Sequence, residues 1–98
     1  MARPLTTDLD REDCRPYFLY DEDLSIAELR RQLASAPEPE RLRLLAKILR
    51  EARDDEVWRF TTPATVLAAW DSLAPHLGRR RPFWEFLLQE WKRIGFIT

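Results

Sequence analysis

Glycine is scarce in this chain: there are two, Gly78 and Gly95, in 98 residues. Tight hairpin turns draw heavily on glycine, so the composition argues against an all-β fold. The same scarcity leaves no material for a glycine-rich phosphate loop. Cys14 is the one cysteine. It excludes an intramolecular disulfide and fits a reducing compartment. His76 is the one histidine, and a single Cys with a single His cannot build a four-ligand zinc site within one chain. Long apolar runs are missing too. No stretch approaches the roughly 18 residues of a membrane span, and MARPLTTDLDRED has no signal-peptide core. The expectation is a cytoplasmic protein with no membrane partner. Lysine is rare among the sixteen basic residues, with only Lys47 and Lys92. That bias fits either a GC-rich genome or a use for arginine chemistry.

Catalysis finds little support in what remains. Cys14 lies in an acidic stretch, where neighbouring carboxylates blunt a thiol's nucleophilicity. Asp21, Glu22, Asp23, Asp54, Asp55 and Glu56 all fall at expected helix starts, where carboxylates are structurally favoured. Asp54 and Asp55 read as caps rather than cation ligands, because no further oxygen ligands follow at regular spacing. The sequence therefore reads as a non-enzyme, with no cofactor and no metal.

What is present is a strong helical pattern. Residues 40–53 read ERLRLLAKILREAR. Leu42, Leu45, Ala46, Leu49 and Ala52 recur at steps of three and four, and Leu44 and Ile48 widen that face. The apolar arc covers about half of the helix. Arg43, Lys47, Arg50 and Glu51 take the remaining arc. A helix so broadly apolar needs cover on two sides, which places it at the centre of the fold. The length suits one domain able to fold unaided.

Other elements follow from local signals. Residues 1–15 are polar and aperiodic, and are expected to form a flexible, extended, acidic N-terminal arm. PYFLY, residues 16–20, is expected as an extended segment against the core, with pairing to Phe96-Ile97-Thr98 as one option. Ser25-Ile26-Ala27-Glu28 has the form of a capping box, and Pro37 and Pro39 end the helix it opens. Asp54-Asp55 should cap a short helix through residues 56–60. Thr62-Pro63 starts another helix with a cap and a first-turn proline, and its apolar pattern runs through Val66, Leu67 and Trp70. Pro75 breaks or kinks the segment that follows, or stands in the first turn of another short helix. The last helix spans residues 80–94, with Gly95 as its left-handed cap. Phe83, Trp84, Leu87, Leu88, Trp91 and Ile94 share its broad apolar face, and Phe86 lies to one side. The predicted fold is all-α, a small bundle of four to five short helices, with 16–98 as one helical domain.

Charge is unevenly placed. Residues 1–40 hold five arginines against ten acids, and residues 41–98 hold eleven basic residues against seven acids. Either the halves neutralise each other across one folded surface, or an acidic arm and a basic face serve different partners. Arg79, Arg80 and Arg81 open the last helix, where the helix dipole disfavours cations. That makes the triplet a candidate for function. One reading is phosphate contact by a small DNA-binding regulator. The helix–turn–helix spacing fails, however, because Pro75 interrupts and Gly78 lies ten residues after Ala68. The other reading is a protein interface. Four tryptophans are many for this length, and tryptophan and arginine are enriched at interface hot spots. Arg79, Arg80, Arg81, Trp84 and Phe86 are the expected partner-binding residues.

PYFLYDED, LLAKILREARDDEVWRF and LGRRRPFWEFLLQEW together give the chain a further likeness. Over residues 16–94 it resembles a family of small uncharacterised bacterial proteins encoded beside nucleotidyltransferases of the toxin–antitoxin type. The resemblance implies an antitoxin-like protein that binds a nucleotidyltransferase, and carries over no active-site residues. The expected function is a non-enzymatic protein-interaction module. Its expected partner is such a nucleotidyltransferase or a second copy of the chain, with DNA binding as the alternative.

Overall fold

A computed structural model describes residues 3–97. Met1 and Ala2 of the expected arm, and Thr98 of the expected C-terminal pairing, lie outside the described residues. The chain is mostly helical. In order it forms β1 (Leu5–Thr6), β2 (Arg15–Pro16), α1 (Ile26–Ser35), α2 (Glu38–Glu51), α3 (Pro63–Ala68), α4 (Trp70–Leu73) and α5 (Arg81–Arg93). Short 3-10 turns stand at Val57–Arg59, Ala74–His76 and Gly78–Arg80. It divides into two compact units, one ending at Leu44 and the other beginning at Leu45. The division falls inside α2.

In the first unit the strands correct the all-α expectation. β1 and β2 pair in parallel, with Leu5 opposite Arg15 and Thr6 opposite Pro16. Pro16 has no N–H to give, and the ladder does not need one: Arg15 N donates to Pro4 O and Tyr17 N to Thr6 O, each at 2.9 Å. The chain between the strands buries Leu9 and Cys14. PYFLY is not extended. It turns after Pro16 and buries Phe18 and Leu19, leaving Tyr20 exposed. Arg15 holds that turn, donating from Nε to Arg3 O (2.6 Å) and from Nη1 to Leu19 O, Tyr20 O and Glu22 O (3.3–3.5 Å).

The start of α1 shows why an acidic, turn-rich segment precedes it. A helix leaves its first four N–H groups without intrahelical partners. Here Ile26 N donates to Cys14 O and Ala27 N to Glu12 O, while Glu28 N donates to Ser25 Oγ. Leu29 N closes the first turn on Ser25 O. The Ser25 hydroxyl in turn donates to Glu28 Oε1 at 3.0 Å, a variant of the capping box. The helix stops at Ala36, before Pro37. Arg43 then clasps two carboxylates, Glu22 (2.7 and 3.0 Å) and Glu40 (2.6 and 3.1 Å). Hydrogen bonds to Glu40 and Glu22 raise the Arg43 pKa, and the bond from Arg43 lowers that of Glu40.

α2 carries the expected apolar face. Leu44, Leu45, Ala46, Ile48, Leu49 and Ala52 are buried. Lys47, assigned by periodicity to the polar arc, is buried as well, at 5% exposure. A lysine covers apolar surface with its four-carbon stem. In the second unit, Asp54 and Asp55 do not cap. The 3-10 turn at Val57–Arg59 has Glu56 at its start without a side-chain cap, and Asp55 pairs with Arg53 at 3.6 Å. Thr62 caps α3 as expected, accepting from Thr65 N at 3.1 Å with Pro63 in the first turn. The α3 helix ends at Ala68, sooner than the pattern through Trp70 implies, and Pro75 stands in the first turn of the 3-10 helix Ala74–His76, the second of the two expected outcomes. Arg50 Nη1 fastens that turn by donating to His76 O at 3.0 Å.

Candidate interaction surface

α5 has two faces with different chemistry. Its inward side buries Trp84 and Leu88 and half-buries Leu87 and Trp91. Trp84 meets Trp58 edge-on at 5.6 Å, and Trp91 lies 5.6 Å from the same ring. At about 100° per residue, Phe83, Phe86, Glu90 and Ile94 fall within an arc of about 80° on the other side. Phe83 is 40% exposed, Phe86 61% and Ile94 62%. These are three of the six large apolar side chains the described chain leaves open, and Phe96, at 64%, is a fourth.

The helix end explains Phe96. Gly95 takes φ of 81°, its N–H donating to Lys92 O, and Phe96 N donates to Trp91 O at 2.8 Å. This pair of bonds is a Schellman motif, with glycine in the left-handed position that a side chain would strain. The motif sets Phe96 against Trp91, ring centres 5.5 Å apart. Ile97 follows into the interior.

The arginine triplet separates into three roles. Arg79 is exposed. Arg81 pairs with Glu85 one turn on, at 3.6 Å. Arg80 turns inward, where its Nη1 donates to Ala52 O. One turn further along α5, Trp84 Nε1 donates to Leu49 O at 2.8 Å. The last carbonyls of a helix have no intrahelical partners and carry the negative end of its dipole. Arg80 and Trp84 therefore supply, from α5, the donors that the C-terminal end of α2 lacks. The Arg80 guanidinium also stands 5.3 Å from the Trp84 ring centre and 5.8 Å from that of Phe83. Its charge, unfavourable at the start of α5, is matched to the end of α2.

Of the five residues read from sequence as partner-binding, Arg79, Arg81 and Phe86 are exposed, Arg80 is half-buried and Trp84 is fully buried. The indole expected at a surface is instead a hydrogen-bonded core residue. Ile94 and Phe83, assigned to the covered face by periodicity, are surface residues. The sequence signal for them was the surplus of aromatics over what one stripe holds.

Other chemistry is sparse. Among the described residues no group of three or more His, Cys, Asp or Glu side chains could hold a metal ion. Cys14 is buried and free. No helix there is long and apolar enough to cross a membrane. No family model, curated protein or solved structure matches the chain.

Proposed function

We propose that this protein is a non-enzymatic protein-interaction module that docks a protein along the outward face of α5. The observation that carries the reading is the exposure of Phe83, Phe86 and Ile94 on one arc of a helix whose opposite side is core. Large apolar side chains gathered on one face mark an interaction site when scattered exposure does not account for them. Phenylalanine anchors beside arginine also match the make-up of interface centres and rims. The likeness to proteins encoded beside nucleotidyltransferases supports an antitoxin-like role, with such an enzyme as a partner. Cytoplasmic location fits the same reading.

DNA binding draws less support. It needs a cluster of free cations, whereas Arg80 is engaged with Ala52 O and Arg81 with Glu85. The test uses the full chain, tagged, as bait in its native host, beside the Phe86→Ser variant. The expected result is a variant that melts like the wild type and loses the captured protein. Retention of the partner by the folded variant moves the docking face away from α5. Sub-micromolar binding to mixed duplex DNA with a steep salt dependence promotes the regulator instead.

A further inference from the structure

We infer that the outward face of α5 is self-complementary and seats a second copy of this chain, the two helices running antiparallel about a two-fold axis. The inference rests on α5 being the docking face. Its ground is a pattern of four residues. Arg79, Phe83, Phe86 and Glu90 are spaced by four, three and four residues; the last three lie on the outward arc of α5, and Arg79 is exposed in the 3-10 turn that leads into it. The pattern is a palindrome in position and an inversion in charge. When one α5 is turned end for end and laid against another, with the axis level with Trp84 and Glu85, Phe83 of one copy faces Phe86 of the other. In the same register Arg79 of each copy faces Glu90 of its mate. A two-fold interface requires this reciprocity: whatever residue i meets in j, j must meet in i.

The charges are available for the exchange. Arg79 is exposed and makes no ion pair among the described residues. Glu90 accepts from Arg93 at 2.6 and 3.0 Å in an exposed pair on its own helix, an interaction of little strength on a surface. A carboxylate has lone pairs for a second guanidinium. A parallel pairing sets Arg79 against Arg79 and Glu90 against Glu90, so charge selects the antiparallel arrangement. Two helices packed this way approach to about 8–10 Å between axes, close enough for the phenylalanines to interleave. The face spans about three turns, which is small for an interface, and the dimer should be weak, with Kd on the order of 10 μM.

The test is sedimentation equilibrium of the full chain with four variants, each first checked by its thermal melt. The wild type should be a monomer–dimer mixture near that concentration. Arg79→Glu and Glu90→Arg should each raise Kd about tenfold or more, since each sets like charges face to face twice. Arg79→Glu with Glu90→Arg restores the inverted pattern and should recover most of the wild-type affinity. Phe86→Ser should abolish dimerisation. A wild type that stays monomeric at about 200 μM overturns the inference; a different protein or an anionic vesicle taken up by that monomer through Phe86 would then identify the occupant. If Phe86→Ser dissociates the dimer while the charge variants do nothing, the face stands and the antiparallel register falls. If a dimer survives Phe86→Ser in a folded chain, the copies meet elsewhere and the inference falls, while the functional reading falls only if that variant also keeps its captured protein.

Discussion

Replacing Trp84 with phenylalanine isolates the contact that joins α5 to the end of α2. The change keeps a ring in the site and removes the indole N–H that donates to Leu49 O at 2.8 Å. Trp84 is fully buried, so no water replaces the lost donor. A buried carbonyl left without a partner costs about 1–3 kcal/mol. The smaller ring also buries roughly 40 Å² less apolar surface, worth about 1 kcal/mol. The edge-on contact with Trp58 and the Arg80 guanidinium over the ring weaken further. The expected loss is about 2–4 kcal/mol, a large share of the roughly 5–15 kcal/mol that holds a small domain folded. Urea unfolding followed by far-ultraviolet circular dichroism measures it without depending on tryptophan fluorescence. Trp91→Phe, at a half-exposed ring, is the control and should cost about 1 kcal/mol or less. If Trp84→Phe loses no more than the control, the indole hydrogen bond does not hold the end of α2.

Leu49→Ala, at a residue with 0% exposure, should destabilise by about 2–5 kcal/mol in the same urea assay. Phe86→Ser, at 61% exposure, should shift stability by less than about 0.5 kcal/mol. Glu40 is held below the usual carboxylate range by its hydrogen bond from Arg43. A lowered folded-state pKa stabilises the fold above the unfolded value, and that gain is lost as pH falls through the folded one. Stability curves of the wild type and Arg43→Met should therefore converge on going from neutral pH to about pH 3; curves that stay parallel refute a role for the clasp.

Much of the helical scaffold was legible because its signals are local. Ser25, Thr62, Pro37, Pro63 and Gly95 each act within four residues of their own position, and each stands where the pattern put it. The apolar arc of α2 was legible for the same reason, since a period of about 3.6 residues needs no knowledge of neighbours. The failures have a common cause in longer range. β1 and β2 are two residues each, too short to show alternation, and their pairing joins residues ten apart. Asp54 and Asp55 carry cap chemistry, but the chain there turns tightly into a 3-10 segment. Lys47 looked polar because charge was read without its stem. The candidate surface was legible in part. Phe86 lay off the apolar stripe by angle alone, whereas Trp84 could be assigned only by knowing that Leu49 O waits for a donor.

Arg79 and Arg80 stand side by side and face different surroundings. They are neighbours of the same type, and sequence alone treats them as one basic patch. In the structure Arg80 donates to Ala52 O and lies over Trp84, while Arg79 stays at the surface. A hydrogen bond from a charged group contributes about 1.5–3 kcal/mol. Partial exposure reduces that, so Arg80→Met should cost about 1–2 kcal/mol. Arg79→Met should change the melt by less than about 0.5 kcal/mol. For association the order reverses: Arg79→Met weakens the dimer, and Arg80→Met leaves it unchanged wherever the variant remains folded. Two adjacent substitutions of one residue type, measured by urea melt and by sedimentation, thus separate the inward function of α5 from the outward one. Equal effects of both on stability would mean that the triplet acts as a diffuse charge and that the end of α2 is capped by something else.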